Sequence, residues 1–263
     1  MDRTNTLPPP KRGGIHPMRI CIAVLLILIV PAIACAQANT QALYQKVRSS
    51  SLLIATHALI YYGAENRLSD PRSLDAYQKS YQDLQQLVEA LGYPQSLQRP
   101  VAEMSALLPQ LESGATDHSV SYPDLLIGLM DADAEMKKAV ASAYADASPE
   151  LSQARLMLRE LSERIGDLLI SNQARITRVV GEYSVAYEAQ DAEAKDQRIN
   201  ELFEALKVQL PEHAKVLTDQ HRVFRFARGH LLGNNYKAVS GSAAFYLGSV
   251  IAKLDELAGQ TAP

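Results

Sequence analysis

Tryptophan is absent from this 263-residue chain, and cysteine occurs only twice, as Cys21 and Cys35. Because both cysteines lie close to the N-terminus, no pair remains to link the rest of the chain by a disulfide. Such a chain depends on a packed apolar core for its stability. Its apolar content of 47% is ordinary for a globular protein of that kind.

Motifs that carry catalytic or metal chemistry are also missing. The sequence has no G-x-S-x-G motif, no G-x-x-x-x-G-K loop, and no H-E-x-x-H or E-x-x-H motif. No two of the six histidines are three or four residues apart, the spacing at which one helix face presents two metal ligands. The sequence therefore predicts neither a metal nor a cofactor, and it favours a binding protein over an enzyme.

A basic and then apolar segment opens the chain, with an uncharged run over residues 20–30. The basic residues before this run are Arg3, Lys11, Arg12 and Arg19. Small residues follow, and two A-x-A sites predict cleavage by a signal peptidase after Ala36 or Ala38. We therefore expect residues 1–38 to be a signal peptide and the mature protein to be periplasmic.

Three alternatives to this leader stay open. Translation from Met18 gives a more ordinary signal peptide and leaves out residues 1–17. Residues 20–36 are at the lower limit of length for a membrane-spanning helix, so an uncleaved anchor is the second alternative. The segment that ends in Cys35 loosely matches a lipoprotein signal, which would give an outer-membrane lipoprotein acylated on Cys35. Mass spectrometry of the mature N-terminus distinguishes these products.

Cleavage makes the chain more acidic. The leader holds four of the 26 basic and one of the 29 acidic residues, which leaves 22 basic against 28 acidic residues and a net charge of −6. Nucleic-acid binding requires positive charge that neutralises phosphates. We therefore expect no nucleic acid and no anionic membrane surface among the partners, and no stable membrane span after cleavage.

Apolar residues recur at spacings of three and four from Asn39 onward, and no run alternates as a strand does. The clearest predicted helix has Asp70 as its cap, Pro71 in its first turn and Gly92 at its end. Its apolar stripe consists of Leu74, Tyr77, Tyr81, Leu84, Val88 and Leu91. The helix before it is predicted to end at Gly63.

Proline and glycine set the other predicted boundaries. The third helix is expected to be short, because three prolines limit it: Pro94, Pro100 and Pro109. A stripe from Leu151 to Tyr187 predicts a helix of about 40 residues, or about 60 Å. Gly166 and Gly181 are its candidate bend points, and Pro211 is expected to start a new helix.

These segments predict an all-α fold, an elongated antiparallel bundle of about seven or eight helices. Two bundles that share the long helix are the alternative arrangement. We expect an N-terminal helical subdomain over residues 39–114 and a C-terminal helical bundle with the long central helix over residues 115–263. An apolar stripe left exposed on such a bundle would favour a homodimer.

A basic and aromatic stretch over residues 221–230 is the local feature that stands out. Its arginines recur every third residue, and guanidinium groups bind carboxylate or phosphate through paired hydrogen bonds. The candidate anion-binding residues are therefore His221, Arg222, Arg225 and Arg228. The alternative is that these arginines pair with acidic residues on neighbouring helices.

Five tyrosines in and near the first two helices are a second candidate group: Tyr61, Tyr62, Tyr77, Tyr81 and Tyr93. They either line a pocket for a small ligand or pack in the core with their hydroxyls at its edge. Tyr77 and Tyr81 lie on the apolar stripe, which favours core packing.

The C-terminal part carries a further pattern, with Phe224 to Arg228 followed by Leu231-Leu232, Asn234-Asn235, Tyr246 and a closing helix over residues 251–257. This pattern resembles the extracytoplasmic segments of PilJ-type sensors, the N-terminal regions of type IV pilus chemotaxis transducers and of nitrate-sensor relatives. The chain departs from that family because it contains no second transmembrane segment and no cytoplasmic signalling part. The resemblance implies a free-standing periplasmic sensing or adaptor module, and it assigns no ligand residue.

The leader, the apolar stripes and the missing catalytic motifs together favour a non-enzymatic periplasmic binding protein of sensor or adaptor type. Its expected partner is an envelope protein or a small anionic ligand. The alternative is an enzyme or carrier whose metal or small-molecule site is assembled from distant residues, for example His57 and His221 with acids inside the bundle.

Arg225→Glu tests the anion hypothesis. We expect phosphate, nitrate or a carboxylate to raise the Tm of the wild-type chain. The substitution should abolish that rise and leave helicity intact, because the anion then meets a repelling carboxylate in place of a guanidinium group. Circular dichroism with and without the anions measures both. An unchanged wild-type Tm in all three anions would contradict the hypothesis.

Overall fold

The computed structural model describes residues 17–63, 70–114, 122–147, 152–177, 189–232 and 240–261, with side chains from residue 39 onward except at residues 145–147, 177, 189–191 and 240. These ranges contain eight α-helices and no strand, which confirms the all-α fold class. The helices are α1 (Pro17–Tyr62), α2 (Pro71–Ala90), α3 (Gln95–Gly114), α4 (Tyr122–Ala147), α5 (Gln153–Thr177), α6 (Ala189–Gln209), α7 (Ala214–Leu232) and α8 (Ser240–Gln260).

Residues 37–263 form one compact unit that contains two groups of helices. In one group α5 contacts α6 and α8, and α7 contacts the same two helices, so these four close into a bundle. In the other group α4 packs on α3, and tyrosine hydroxyls join α2 to α1 and to α3. The predicted domain boundary near residue 115 thus falls between two helices that pack on each other.

The C-terminal half of α1 lies between the two groups. Ser51 contacts α4, Leu52 lies against Gly166 of α5, and Leu53 lies against Gly248 of α8. Three consecutive residues therefore meet three different helices. Ser49 and Ser51 are buried where these helices meet, whereas Lys46 is exposed and Ser50 is half-buried on the remaining side of α1.

The predicted limits of α2 are confirmed. Asp70 caps the helix and accepts a hydrogen bond from the backbone N–H of Arg72, with Pro71 in the first turn. Gly92 has a φ of +73°, which is the left-handed conformation that ends many helices and suits glycine. Pro211 also begins a new element as predicted, a 3₁₀ turn over Pro211–His213 that leads into α7.

The prediction of a short third helix is wrong, because α3 runs for 20 residues through both Pro100 and Pro109. Proline inside a helix costs about 3 kcal/mol or more. The buried apolar face of α3 offsets this cost by packing against α1 and α4, and Pro100 is itself buried in that face.

Helix α5 continues without interruption through Gly166, the first of its two candidate bend points. The missing side chain allows α5 and α1 to approach closely, with Leu52 in the space that a Cβ would occupy. The continuation of the predicted long helix to Tyr187, and the bend at Gly181, lie outside the described residues.

Among the residues with described side chains, no helix is both long and apolar enough to cross a membrane.

Gly166→Ala tests the close contact between α5 and α1. An added Cβ would lie 2.7 Å from Leu52 Cδ2, so we expect the free energy of unfolding to fall by about 1–3 kcal/mol. Gly229→Ala in α7 is the matched control, because no described atom lies within 4 Å of its added Cβ. Alanine there should stabilise the helix by up to about 1 kcal/mol.

Urea unfolding followed by circular dichroism measures both variants. Equal stabilisation by the two substitutions would show that Leu52 does not restrict the space beside Gly166.

Candidate functional site

A group of polar side chains lies inside the core where α1 meets α5 and α8. Asp255 of α8 is 2% exposed, and its Oδ1 accepts hydrogen bonds from Gln45 Nε2 at 2.7 Å and from Ser162 Oγ at 2.9 Å. A buried carboxyl group without such donors would cost several kcal/mol, about the size of a whole domain's stability. These bonds therefore connect three helices at one oxygen atom.

The protonation of Asp255 reflects two opposing influences. Burial raises the pKa of its carboxyl group, because a charge is poorly solvated in the core. The nearby hydroxyl of Ser49, the hydrogen bonds from Gln45 and Ser162, and the positive charge of Arg48 oppose this effect by favouring the ionised form. Burial is the larger influence, so the pKa stays above its ordinary value.

Arg48 is the buried cation of this region. It is 3% exposed, and its Nε lies 3.8 Å from Glu163 Oε1. Glu163 also accepts a hydrogen bond from Arg159 at 2.8 Å, and Arg159 lies over the ring of Tyr144. Arg48 therefore places a positive charge between a carboxylate of α5 and the carboxyl group of Asp255.

The polar contacts continue from α1 to α4. Ser51 Oγ donates to Asp133 Oδ1 at 2.5 Å, in a contact that is buried on both sides. Tyr144 Oη donates to the backbone carbonyl of Gln41 at 2.8 Å and lies 3.2 Å from Gln45 Oε1. Gln45 thus links the Asp255 contact to α4.

A groove of about 480 Å³ opens beside this polar core, between α1, α2 and α8. Its charged residues are Lys46, Asp83, Asp255 and Glu256, and its uncharged polar residues are Ser49, Ser50, Ser80 and Gln86. Its apolar residues are Leu53, Leu87, Ile251 and Ala252. Asp255 belongs both to the buried hydrogen-bond group and to the lining of the groove, so the groove lies next to a core residue with a carboxyl group.

A second groove of about 580 Å³ lies between α3 and α4. It is lined by exposed and half-buried residues such as Arg99, Leu107 and Asp131, and Arg99 pairs there with Glu103 of its own helix at 2.9 Å. None of its lining residues is buried in the core. Although this groove is larger, it has no preorganised polar group, and the groove at Asp255 is the better candidate.

The three arginines of the predicted stripe differ in their contacts. Arg228 forms two hydrogen bonds to Asp196 of α6, at 2.8 and 2.5 Å, and Arg222 lies 3.4 Å from Asp219 of its own helix. Arg225 is exposed. Pairing with acidic residues thus accounts for Arg222 and Arg228, and anion binding at Arg225 stays a prediction.

His221 is buried, unlike Arg222 and Arg225 of that stripe. Its ring stacks on Phe203 with a centroid distance of 4.5 Å, and its Nε2 lies 2.8 Å from Asn200 Oδ1. Burial is the main cause that lowers its pKa, and the nearby ammonium group of Lys207 adds to the effect. These contacts indicate that a neutral His221 packs α7 on α6.

The tyrosines mostly pack in the core, as the apolar stripe favoured. Tyr77 is 1% exposed and donates a hydrogen bond to Glu112, and burial is the main cause that raises its pKa. Tyr81 donates to Ser105 at 2.8 Å. Tyr93, by contrast, is 59% exposed and has a φ of +56°. Tyr77 thus packs in the core and Tyr93 lies on the surface, and a ligand pocket at the remaining tyrosines stays a prediction.

His57 is enclosed near the end of α1. It is 4% exposed, and its ring centroid lies 5.1 Å from that of Phe245 in α8. Burial lowers the pKa of His57 to about 4, although the carboxylate of Asp70 favours the protonated form. Its contacts share no residue with those of His221. Among the described residues, no three histidine, cysteine or acidic side chains are placed to hold one metal ion.

Sequence analysis missed the residues of the groove at Asp255. One signal was present: Asp255 follows Ile251 by four residues, so an acid lies next to the apolar stripe of α8. The serines at 49–51 were a second signal, since they interrupt an otherwise apolar helix. Neither signal shows which helices come together.

The fold and the groove define an all-α helical-bundle protein with a polar, partly buried groove. Comparisons with protein-family models, curated proteins and solved structures found no match to this chain. The functional conclusion therefore rests on the residues and geometry described above.

His57→Phe tests the burial of this histidine. In the wild type the unfolded chain binds a proton near pH 6.5 and the folded chain only near pH 4, so stability falls as the pH is lowered between these values. From pH 7 to pH 4.5 this linkage removes about 2.5 kcal/mol. Phenylalanine carries no titrating group and should remove that part of the loss.

The check is the difference between the two proteins in the loss of unfolding free energy, measured with urea at pH 7 and pH 4.5. Acidic residues that do not interact with His57 affect both proteins equally, whereas the pKa of Asp70 is lowered by the charge of His57 in the wild type only. Identical losses would show that His57 is already solvated in the folded chain.

Proposed function

We propose that this protein is an exported, non-enzymatic helical bundle that binds a small polar ligand in the groove between α1, α2 and α8. The observation that carries this proposal is the position of Asp255, which is held by hydrogen bonds in the core and also lines a groove of about 480 Å³. A concave surface with a few fixed polar groups is the common form of a small-molecule site.

The sequence supports the exported and non-catalytic parts of the proposal. The basic and apolar leader favours transport to the periplasm. The chain lacks the nucleophile, phosphate-loop and zinc motifs that would favour an enzyme. The resemblance of the C-terminal helices to PilJ-type sensor segments also favours a sensing or adaptor role.

The shape of the groove supports a ligand more than a protein partner. Three helices enclose it, and small side chains such as Ser49, Ser50 and Ala252 leave the space between them. Gln45 and Ser162 of the chain itself hold the Asp255 carboxyl group in place, so the groove has a preorganised polar group. A small molecule can fill such a depression, whereas a protein surface would need a broader one.

Ala252→Trp tests this site in the purified chain. Ala252 is exposed on α8 and lines the groove, so the large side chain should fill the space without entering the core. We expect at least one compound of a panel of amines, polyols and organic acids to bind the wild type with a stoichiometry of one. Its Kd should rise at least tenfold in Ala252→Trp, as measured by calorimetry.

Ala106→Trp is the matched control, because Ala106 is exposed on α3 and lines the second groove. It should leave the Kd unchanged. Binding of no compound in the panel would contradict the proposed function. Loss of binding in Ala106→Trp alone would contradict the assignment of the groove.

A further inference from the structure

The charges in the groove at Asp255 are mainly negative. Asp83 reaches it from α2, and Asp255 and Glu256 reach it from α8. Lys46 of α1 is the cation among the described lining residues. When its carboxyl groups are ionised, this lining has a charge of about −2, which is complementary to a cation with two positive charges.

The other two carboxylates of the groove, those of Asp83 and Glu256, can exchange their lysine partners for a ligand cation. We call them the outer carboxylates. Asp83 pairs with Lys79 at 2.7 Å, and Glu256 pairs with Lys253 at 2.6 Å, each within its own helix. Both pairs are exposed to solvent. Exposed pairs of this kind contribute little to stability, so a ligand cation can replace the lysine without loss to the fold.

Two buried polar residues of the groove, Asp255 and Ser49, present oxygen atoms to a ligand. We call these two residues the floor of the groove. Ser49 Oγ is buried beside Asp255 and favours its ionised form, but makes no hydrogen bond of normal length and angle within the described chain. An ammonium group has three N–H donors and no acceptor. The Asp255 carboxyl group and the Ser49 hydroxyl therefore match the needs of one ammonium group better than those of an anion.

The sides of the groove are apolar. Each of the three helices contributes one large apolar side chain to the lining: Leu53 from α1, Leu87 from α2 and Ile251 from α8. Methylene groups gain free energy when they leave water for such a surface. An aliphatic chain with an ammonium group at each end would thus contact apolar side chains along its length and carboxyl groups at its ends.

We propose that the groove binds an aliphatic polyamine, with one ammonium group at Asp255 and Ser49 and a second at Asp83 and Glu256. This inference rests on the proposed function and names its ligand class. The charge of this ligand is opposite to that expected at the arginine stripe, which lies on a different helix and is a separate prediction.

The test compares three four-carbon probes on the purified full chain: 1,4-diaminobutane, 1,4-butanediol and butanedioate. They have similar lengths and differ in charge. Calorimetry at pH 7.5 and low salt should show that the diamine binds. The Kd values of the diol and of butanedioate should be at least 100-fold higher.

Asp255→Asn removes the floor charge and keeps the shape of the side chain, so the Kd of the diamine should rise at least 30-fold. Asp131→Asn in the second groove is the control and should leave the Kd unchanged. Circular dichroism checks folding of each variant. If Asp255→Asn does not fold, Ser49→Ala takes its place, and an increase of about fivefold is expected from the lost hydrogen bond.

The outcomes separate this inference from the proposed function. Preferential binding of the diol or butanedioate, lost in Ala252→Trp, would overturn the polyamine and keep the groove as a ligand site. Diamine binding that is equal in wild type and in a folded Asp255→Asn would also overturn the inference. A chain that binds no probe and no panel compound would overturn the proposed function itself.

Discussion

The hydrogen bonds to the carboxyl group of Asp255 are the interaction on which the arrangement of α1 depends. Gln45 and Ser162 donate to one oxygen atom of this group, and Arg48 supplies a positive charge nearby. Apolar contacts alone tolerate several rotations of a helix that packs against neighbours on several sides. A rotated α1 would separate Gln45 and Arg48 from their partners, and buried polar groups without partners are costly. The polar contacts therefore select one orientation.

The same requirement connects the core to the groove. Because Asp255 is fixed by donors in the core, its carboxyl group needs no ligand to hold its position. The neighbouring groove exists because α1 presents small side chains, Ser49 and Ser50, where α2 and α8 approach. Packing that stabilises the bundle thus also preorganises a binding surface, which lowers the entropy lost when a ligand binds.

The arginine stripe can be recognised from the sequence, whereas the groove can be recognised only from the structure. The stripe lies within ten consecutive residues, so charge and spacing identify it directly. Its contacts depend on a second helix, and Arg228 is engaged by Asp196 across that interface. The groove combines residues from three helices that are far apart in the chain. Position along one helix carries no information about such a combination, because it arises only when the helices pack.

The sequence by itself determined the all-α class, the limits of α2, and the restart of the helix at Pro211, because apolar spacing and capping act within a few residues. Only the tertiary structure decided that α3 continues through two prolines, that Gly166 is a close contact with α1, and that Asp255 lines a groove. Each of these depends on what a neighbouring helix places against the residue. Packing energies of a few kcal/mol are large enough to override local preference.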